Sequence, residues 1–249
     1  MADELVEWRE EEGGIVRITM QDRVNKNTFT VGLADGLSAA FANVERSETA
    51  KVVILTGFGT YFACGGTQAG LLSIQQGTTK FTDSNLYRLP LDCSLPVIAA
   101  MQGHGIGGGL VLGLFADLVV LSRESVYTAN FMKYGFTPGM GATCILPWKL
   151  GPVLAHELLL TAAGYRGADL EARGIPFPVV ARADVVAHAE QLAREIAQKP
   201  RVSLKMLKTH LVRGMREELT KVVEQELAMH AVTFAQPEVR ERIRTLFGN

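Results

Sequence analysis

Two glycine-rich segments offer chemistry that needs no reactive side chain: Tyr61-Phe62-Ala63-Cys64-Gly65-Gly66-Thr67 and Gly103-His104-Gly105-Ile106-Gly107-Gly108-Gly109. Each opens a helical stretch, and N–H groups at a helix start have no acceptor within the helix. Such groups can hold an oxygen that gains negative charge during a reaction, and two segments supply the two donors that an oxyanion hole needs. A tight turn with close packing is the plain alternative for glycines of this kind. Gly103, Gly105 and Gly108 also fit a G-x-G-x-x-G pattern after a strand, so a dinucleotide-binding protein is a competing reading. Against it, that unit carries an acidic residue at the end of its next strand, whereas Asp117 opens the next apolar run and Leu121 closes it. No Gly-Lys-Ser/Thr follows the cluster, which removes a P-loop. No Gly-x-Ser-x-Gly elbow is present, and Cys64 lacks the histidine and acid pattern of a catalytic thiol.

The elements that must position these segments alternate. Residues 14–20 alternate as a strand, and 51–57 form a short apolar run closed by glycine. Between them, 31–45 carries Leu33, Leu37, Ala40 and Phe41 at helical spacing. Residues 96–101 read as a buried strand that runs into the second glycine segment, an apolar helix follows to Leu114, and 117–121 is the next strand. This order predicts a mostly parallel sheet covered by helices. From Val153 onward the chain reads as helical, with breaks near residues 164–167, Pro176 and Pro200. A long helix is expected at about 217–234, packed on its own subunit or on a neighbour. The expected division is an α/β core over residues 1–195 and a helical region over 196–249.

The chain has 249 residues, enough to bury a substantial core, and a formal net charge of −1. That charge gives no general attraction to nucleic acid or to an anionic membrane. Residues 1–12 are acidic without a signal-peptide pattern, and no apolar run is long enough to span a bilayer, so a cytoplasmic location is expected. Cys64, Cys93 and Cys144 are widely spaced and form no paired metal-ligand pattern. Neither a metal nor a cofactor is expected.

The run Phe62-Ala63-Cys64-Gly65-Gly66, followed by Gln102-Gly103-His104-Gly105-Ile106-Gly107-Gly108-Gly109, resembles the paired signatures of the crotonase (enoyl-CoA hydratase/isomerase) superfamily. The resemblance extends from about residue 16 to 247 and includes Asp117, Gly135-Phe136-Thr137-Pro138-Gly139 and Arg173-Gly174. It implies an α/β fold of the crotonase (ClpP/crotonase-like) type, a spiral of ββα units with a C-terminal helical trimerisation region. It also implies oxyanion amides at Gly66 and Gly108. Hydratases of the superfamily use two glutamates, and this sequence has Val111 and Phe131 in their places, so water addition by the usual route is not expected.

Residues 93–103, 124–139, 165–167 and 226–230 more specifically resemble the decarboxylating crotonases of polyketide β-branching cassettes. That resemblance implies loss of CO2 from a 3-methylglutaconyl group carried on the phosphopantetheine of an acyl carrier protein or of CoA. It implies catalytic roles for Lys80, as a cation that orients the carboxylate, and for His230, as a proton donor that reaches an adjacent subunit's pocket. Other decarboxylases of the superfamily place a tyrosine and a lysine on the helix after the first oxyanion donor, where Gly70 and Ile74 lie here. Arg88, Lys133 and Lys149 are candidates to meet an acidic carrier protein or phosphates. The expected assembly is a homotrimer or a dimer of trimers. Isomerase or hydratase activity and non-catalytic binding of acyl thioesters are the alternatives.

Overall fold

The computed structural model describes residues 4–247, which form an α/β fold with one six-stranded and one four-stranded sheet. The chain opens with the hairpin β1 (Val6–Glu11) and β2 (Ile15–Met20), crosses through α1 (Val31–Arg46), and returns as β3 (Val52–Thr56). The short β4 (Tyr61–Ala63) leads into α2 (Gln68–Gln75) and then α3 (Leu89–Asp92). Next come β5 (Val97–Met101), β6 (His104–Ile106), α4 (Gly108–Leu114), β7 (Leu118–Ser122) and β8 (Val126–Thr128). The remainder is α5 (Ala142–Leu150), α6 (Pro152–Thr161), β9 (Gly164–Arg166), α7 (Gly167–Ala172), β10 (Val179–Val180), α8 (Val185–Ala197), α9 (Arg201–Thr233) and α10 (Pro237–Leu246).

The large sheet runs β1-β2-β3-β5-β7-β10 and is parallel except for the β1–β2 hairpin. Every residue of β3 and β5 is buried, because helices cover both faces of a parallel sheet. On one face Leu33, Leu37 and Phe41 of α1 pack with Val53 and Leu55. On the other, Val185, Ala189, Ala193 and Ala197 recur every fourth residue along α8 and pack on Ile54, Ile98 and Val120. Full burial of each branched aliphatic side chain contributes about 1.5–3 kcal/mol, so this double-sided core is a rigid base for whatever leaves the strand ends.

The small sheet, β4-β6-β8-β9, was not expected from the sequence. Its strands have three residues each, too few to display a period of two. It nevertheless places the chemistry. β4 and β6 are parallel neighbours, with Tyr61 opposite His104 and Ala63 opposite Gly105. Both glycine segments therefore leave the same end of the same sheet, side by side.

The C-terminal helix is also longer than expected, 33 residues instead of about 217–234. Its buried stripe is Leu204, Lys208, Met215, Leu219, Glu226 and His230. These fall at alternating steps of four and seven, a repeat that keeps one face of a long helix on the core. Three of the six are polar, and Gly214 interrupts the run, which is why hydrophobic periodicity alone stopped short. Lys208 is held by Asp117 Oδ2 at 2.7 Å and by the carbonyls of Pro90 and Leu95. Among the described residues, no helix is long and apolar enough to cross a membrane.

Candidate active site

The first glycine segment is clamped from behind by residues 22–30. Asn27, fully buried, donates its side-chain amide to Met20 O and Phe62 O while its Oδ1 accepts from Asp22 N. Cys64 N donates to Asn27 O at 3.1 Å, and Phe29 N donates to Gly65 O at 2.6 Å. Thr67 then caps α2, its Oγ1 accepting from Gly70 N at 3.0 Å. With its neighbours tied on both sides, Gly66 has little freedom to rotate its peptide.

The second segment is fixed by Gly107 N donating to Thr128 O at 2.8 Å, and Gly108 is the first residue of α4. The two segments touch through bare backbone. A Cβ on Gly109 would stand 1.9 Å from Ala63 O, and one on Gly65 would stand 3.1 Å from Gly108 N. Only glycine permits that approach. Among the described residues, no protein acceptor takes the N–H of Gly66 or of Gly108. Both residues line one cavity of about 450 Å3.

That cavity holds no carboxylate among the described residues. Phe131 is part of its wall, together with Tyr134, Phe136 and Met140. Val111 is buried in α4 and is not part of the wall. The space suits an apolar acyl chain beside two peptide donors, and among the described residues it offers no carboxylate to activate water. Cys64 also faces it, but burial pushes its thiol up to about 11, so it is not a thiolate nucleophile near neutral pH. Asn130 is a polar lining group that the sequence did not single out, its Oδ1 lying 2.7 Å from where a Gly107 Cβ would stand.

Lys80 and His230 lie together elsewhere. Both line a cavity of about 400 Å3, and Lys80 also lines one of about 520 Å3 that shares Gly66 with the glycine cavity. Phe81 borders all three spaces and packs 5.0 Å from the His230 ring, centroid to centroid. Lys80 sits in an exposed loop closed by Lys80 N donating to Asp83 Oδ2 at 2.7 Å. Among the described residues its Nζ has no hydrogen-bond or ion-pair partner. His230 is 6% exposed, with Nε2 at 3.0 Å from Thr137 O and 3.1 Å from Pro138 O. Those carbonyls fix the neutral ring as the Nε2–H tautomer, and Nδ1 is left without a partner. Burial pushes the imidazole below its ordinary value, outweighing the two carbonyls that favour the charged form.

His230 thus packs inside its own chain, against residues 137–138, where the sequence suggested reach into an adjacent subunit. α10 likewise folds back onto its own chain, with Gln68 Nε2 donating to Ile243 O and Arg244 O. Of the three basic residues singled out for a carrier, only Lys133 lines the glycine cavity. Lys149 turns inward to Ala116 O and Asp117 O, and Arg88 is paired with Asp92. Lys26, not singled out, lines the same cavity, its Nζ 5.6 Å from the Tyr61 ring centroid. His104 is structural, its Nδ1 accepting from Val126 N at 2.9 Å. Among the described residues, no cluster of His, Cys, Asp and Glu could hold a metal ion.

A family model described as enoyl-CoA hydratase/isomerase matches residues 10–247. The chain belongs to that family, the crotonases. It is 61% identical over 249 residues, all of both chains, to the bacillaene synthase decarboxylase PksI of Bacillus subtilis (strain 168). A solved structure from a dehydratase/decarboxylase enzyme couple involved in polyketide β-branching matches at 62% identity and a TM-score of 0.97, covering 98% of this chain and 100% of that one. The ECH2 decarboxylase domain of CurF from Lyngbya majuscula matches at 46% identity and a TM-score of 0.95, with the same coverage. The crotonase fold expected from the glycine signatures is therefore the fold of this chain, with its parallel sheets and C-terminal helices.

Proposed function

We propose that this crotonase is a decarboxylase of polyketide β-branching, releasing CO2 from a 3-methylglutaconyl thioester to give a 3-methylcrotonyl-type thioester. The observation that carries this reading is the pairing of two free peptide N–H groups, on Gly66 and Gly108, in a cavity without a carboxylate. Its identity to decarboxylases over the full chain supports it.

Breaking the bond to the distal carboxylate sends its electron pair through the conjugated alkene to the thioester oxygen, as a dienolate. The N–H groups of Gly66 and Gly108 hold that oxygen, at about 3 kcal/mol of transition-state stabilisation per donor. Lys80 orients the carboxylate before it departs. One proton is then needed at carbon, and His230 supplies it from Nδ1, which has no partner among the described residues but is buried, so delivery requires the ring or the neighbouring Phe81 to shift. The free enzyme holds this ring neutral, but a substrate carboxylate nearby favours the imidazolium and so loads the proton where it is used. The acyl tail reaches Lys80 and His230 by way of Phe81, the one ring common to the three cavities.

The acyl group arrives on phosphopantetheine, and Lys26 and Lys133 at the glycine cavity suit the phosphates or an acidic carrier protein. A homotrimer or dimer of trimers is supported by the exposed Trp148, Val153, Leu160, Met206 and Leu211, apolar surface that assembly would cover. No cofactor takes part in the proposed steps. Mass spectrometry of 3-methylglutaconyl carrier protein after incubation tests the reading. Loss of CO2 is expected; gain of one water identifies a hydratase, and no change in mass leaves an isomerase or a binder.

A further inference from the structure

Met140 stands in the loop between Pro138 and α5, 5% exposed, with a backbone φ of +64. A side chain longer than that of glycine rarely adopts this left-handed region, so the surrounding contacts must impose it. They come from α9. The buried Glu226 carboxylate accepts from Gly141 N at 2.7 Å, Thr143 N at 3.0 Å and Thr143 Oγ1 at 2.7 Å. One turn further on, His230 Nε2 meets Thr137 O and Pro138 O. The loop is thus gripped on both sides of Met140.

The conformation aims the thioether at the oxyanion pair. A Cβ built on Gly108 would lie 2.7 Å from Met140 Sδ and 3.2 Å from its Cε. Met140 also lines both the 450 Å3 glycine cavity and the adjoining 520 Å3 cavity, so it is part of the partition between them. An acyl chain whose thioester oxygen sits at Gly66 and Gly108 lies beside this side chain in either of the two spaces.

We propose that Met140 is a specificity-determining residue that limits the size of the branch carried on the acyl chain beside the thioester, admitting a methyl and excluding a larger alkyl group. The inference rests on the decarboxylase reading only for its choice of substrate. A pocket wall of this kind discriminates one methylene by about 10- to 200-fold. Met140→Gly opens the partition and suits the positive φ, which offsets part of the cost of truncating a buried core side chain, and thermal unfolding checks that the variant is folded under the assay conditions. Met140→Leu keeps the volume.

The experiment compares kcat/KM for CO2 release from 3-methylglutaconyl and 3-ethylglutaconyl thioesters on one carrier. In parallel it compares dissociation constants for the saturated 3-methylglutaryl and 3-ethylglutaryl thioesters, which cannot pass through a dienolate. The unmodified enzyme should prefer the methyl compound in both. Met140→Gly should reduce that preference by about tenfold or more, while Met140→Leu keeps it within about threefold. A preference ratio in Met140→Gly within about twofold of the original in both measurements overturns the inference. If CO2 is never released but the binding preference still relaxes in Met140→Gly, the size wall stands and the decarboxylase reading falls.

Discussion

Glu226 and His230, one turn apart on α9, hold opposite ends of one loop: the carboxylate takes Gly141 N–H at 2.7 Å, and the imidazole Nε2 stands 3.0 Å from Thr137 O. The pair makes the position of a C-terminal helix a condition for the shape of the glycine cavity, because the loop between their contacts carries Met140 into its wall. Glu226 does this at a cost. Burial pushes its carboxyl above the ordinary range, and the three donors from Gly141 and Thr143 oppose the shift.

Removing the Glu226 acceptor orphans two backbone N–H groups at the start of α5. An unsatisfied buried donor costs about 1–3 kcal/mol, so Glu226→Ala should lower the urea midpoint by an amount that reflects at least one such group. Thr143→Ala leaves the backbone bonds in place and should cost less, about 1 kcal/mol. Equal stability of the two variants would show that Glu226 does not hold the loop.

Lys80 and His230 share a cavity and differ in every other respect, one exposed and one buried. If Lys80 orients the carboxylate and His230 delivers the proton, Lys80→Ala and His230→Ala should each lower kcat for CO2 release by about 100- to 10,000-fold. Lys80→Ala, at an exposed position, should leave thermal unfolding unchanged, whereas His230→Ala also frees its end of the loop and is assayed well below its own unfolding midpoint. Lys80→Arg should recover part of the loss. Release at the original rate in both alanine variants would remove both roles and favour a crotonase whose glycine pair works alone.

The pH behaviour of His230 has a definite sign. Its folded value lies below the unfolded value of about 6.5, because burial disfavours the imidazolium. The stability it contributes is therefore complete above that unfolded value and is lost as the pH falls through the folded one. His230→Gln removes this loss, so between about pH 7 and pH 5 the variant should lose less stability than the unmodified protein. Ring titration by NMR should place the His230 midpoint below about 6.5 without substrate. A midpoint above that value would contradict the burial argument, and with it the idea that substrate loads the proton.

Much of this site was legible in the sequence because peptide chemistry asks only for small residues at the right places. Gly66 and Gly108 stand out from their motifs alone, and Phe131 announced a cavity wall without carboxylates, whereas Val111 is buried behind that wall. The strands at 52–56 and 97–101 were legible too, since parallel strands buried on both faces are continuous apolar runs. The small sheet was not, although it sets the two glycine segments side by side. Asn27, Met140 and the loop-holding contacts of Glu226 were missed for a different reason. Asn27 acts on Phe62, and Glu226 acts on Gly141, across stretches of chain that no local pattern spans. The contacts of His230 with Thr137 O and Pro138 O were not legible for the same reason, because they join residues more than ninety positions apart.

The glycines themselves separate donor chemistry from packing. At Gly66 an added Cβ meets only Leu71, at 3.5 Å, an ordinary contact, so Gly66→Ala should fold and keep kcat within about threefold, since its donor is the peptide and not the side chain. At Gly109 the same methyl would lie 1.9 Å from Ala63 O, a backbone atom that moves only if β4 moves. Overpacking at such a contact costs about 1–3 kcal/mol or more, and relief requires the ends of β4 and β6 to part. That parting would carry Gly66 N–H away from Gly108 N–H, so Gly109→Ala should lose kcat by about 100-fold, as expected when one oxyanion donor is misplaced. Thermal unfolding and CO2 release, measured on both variants, check the pair. Activity retained in Gly109→Ala and lost in Gly66→Ala would invert the argument, assigning the chemistry to the space around Gly66 and not to the spacing between the two amides.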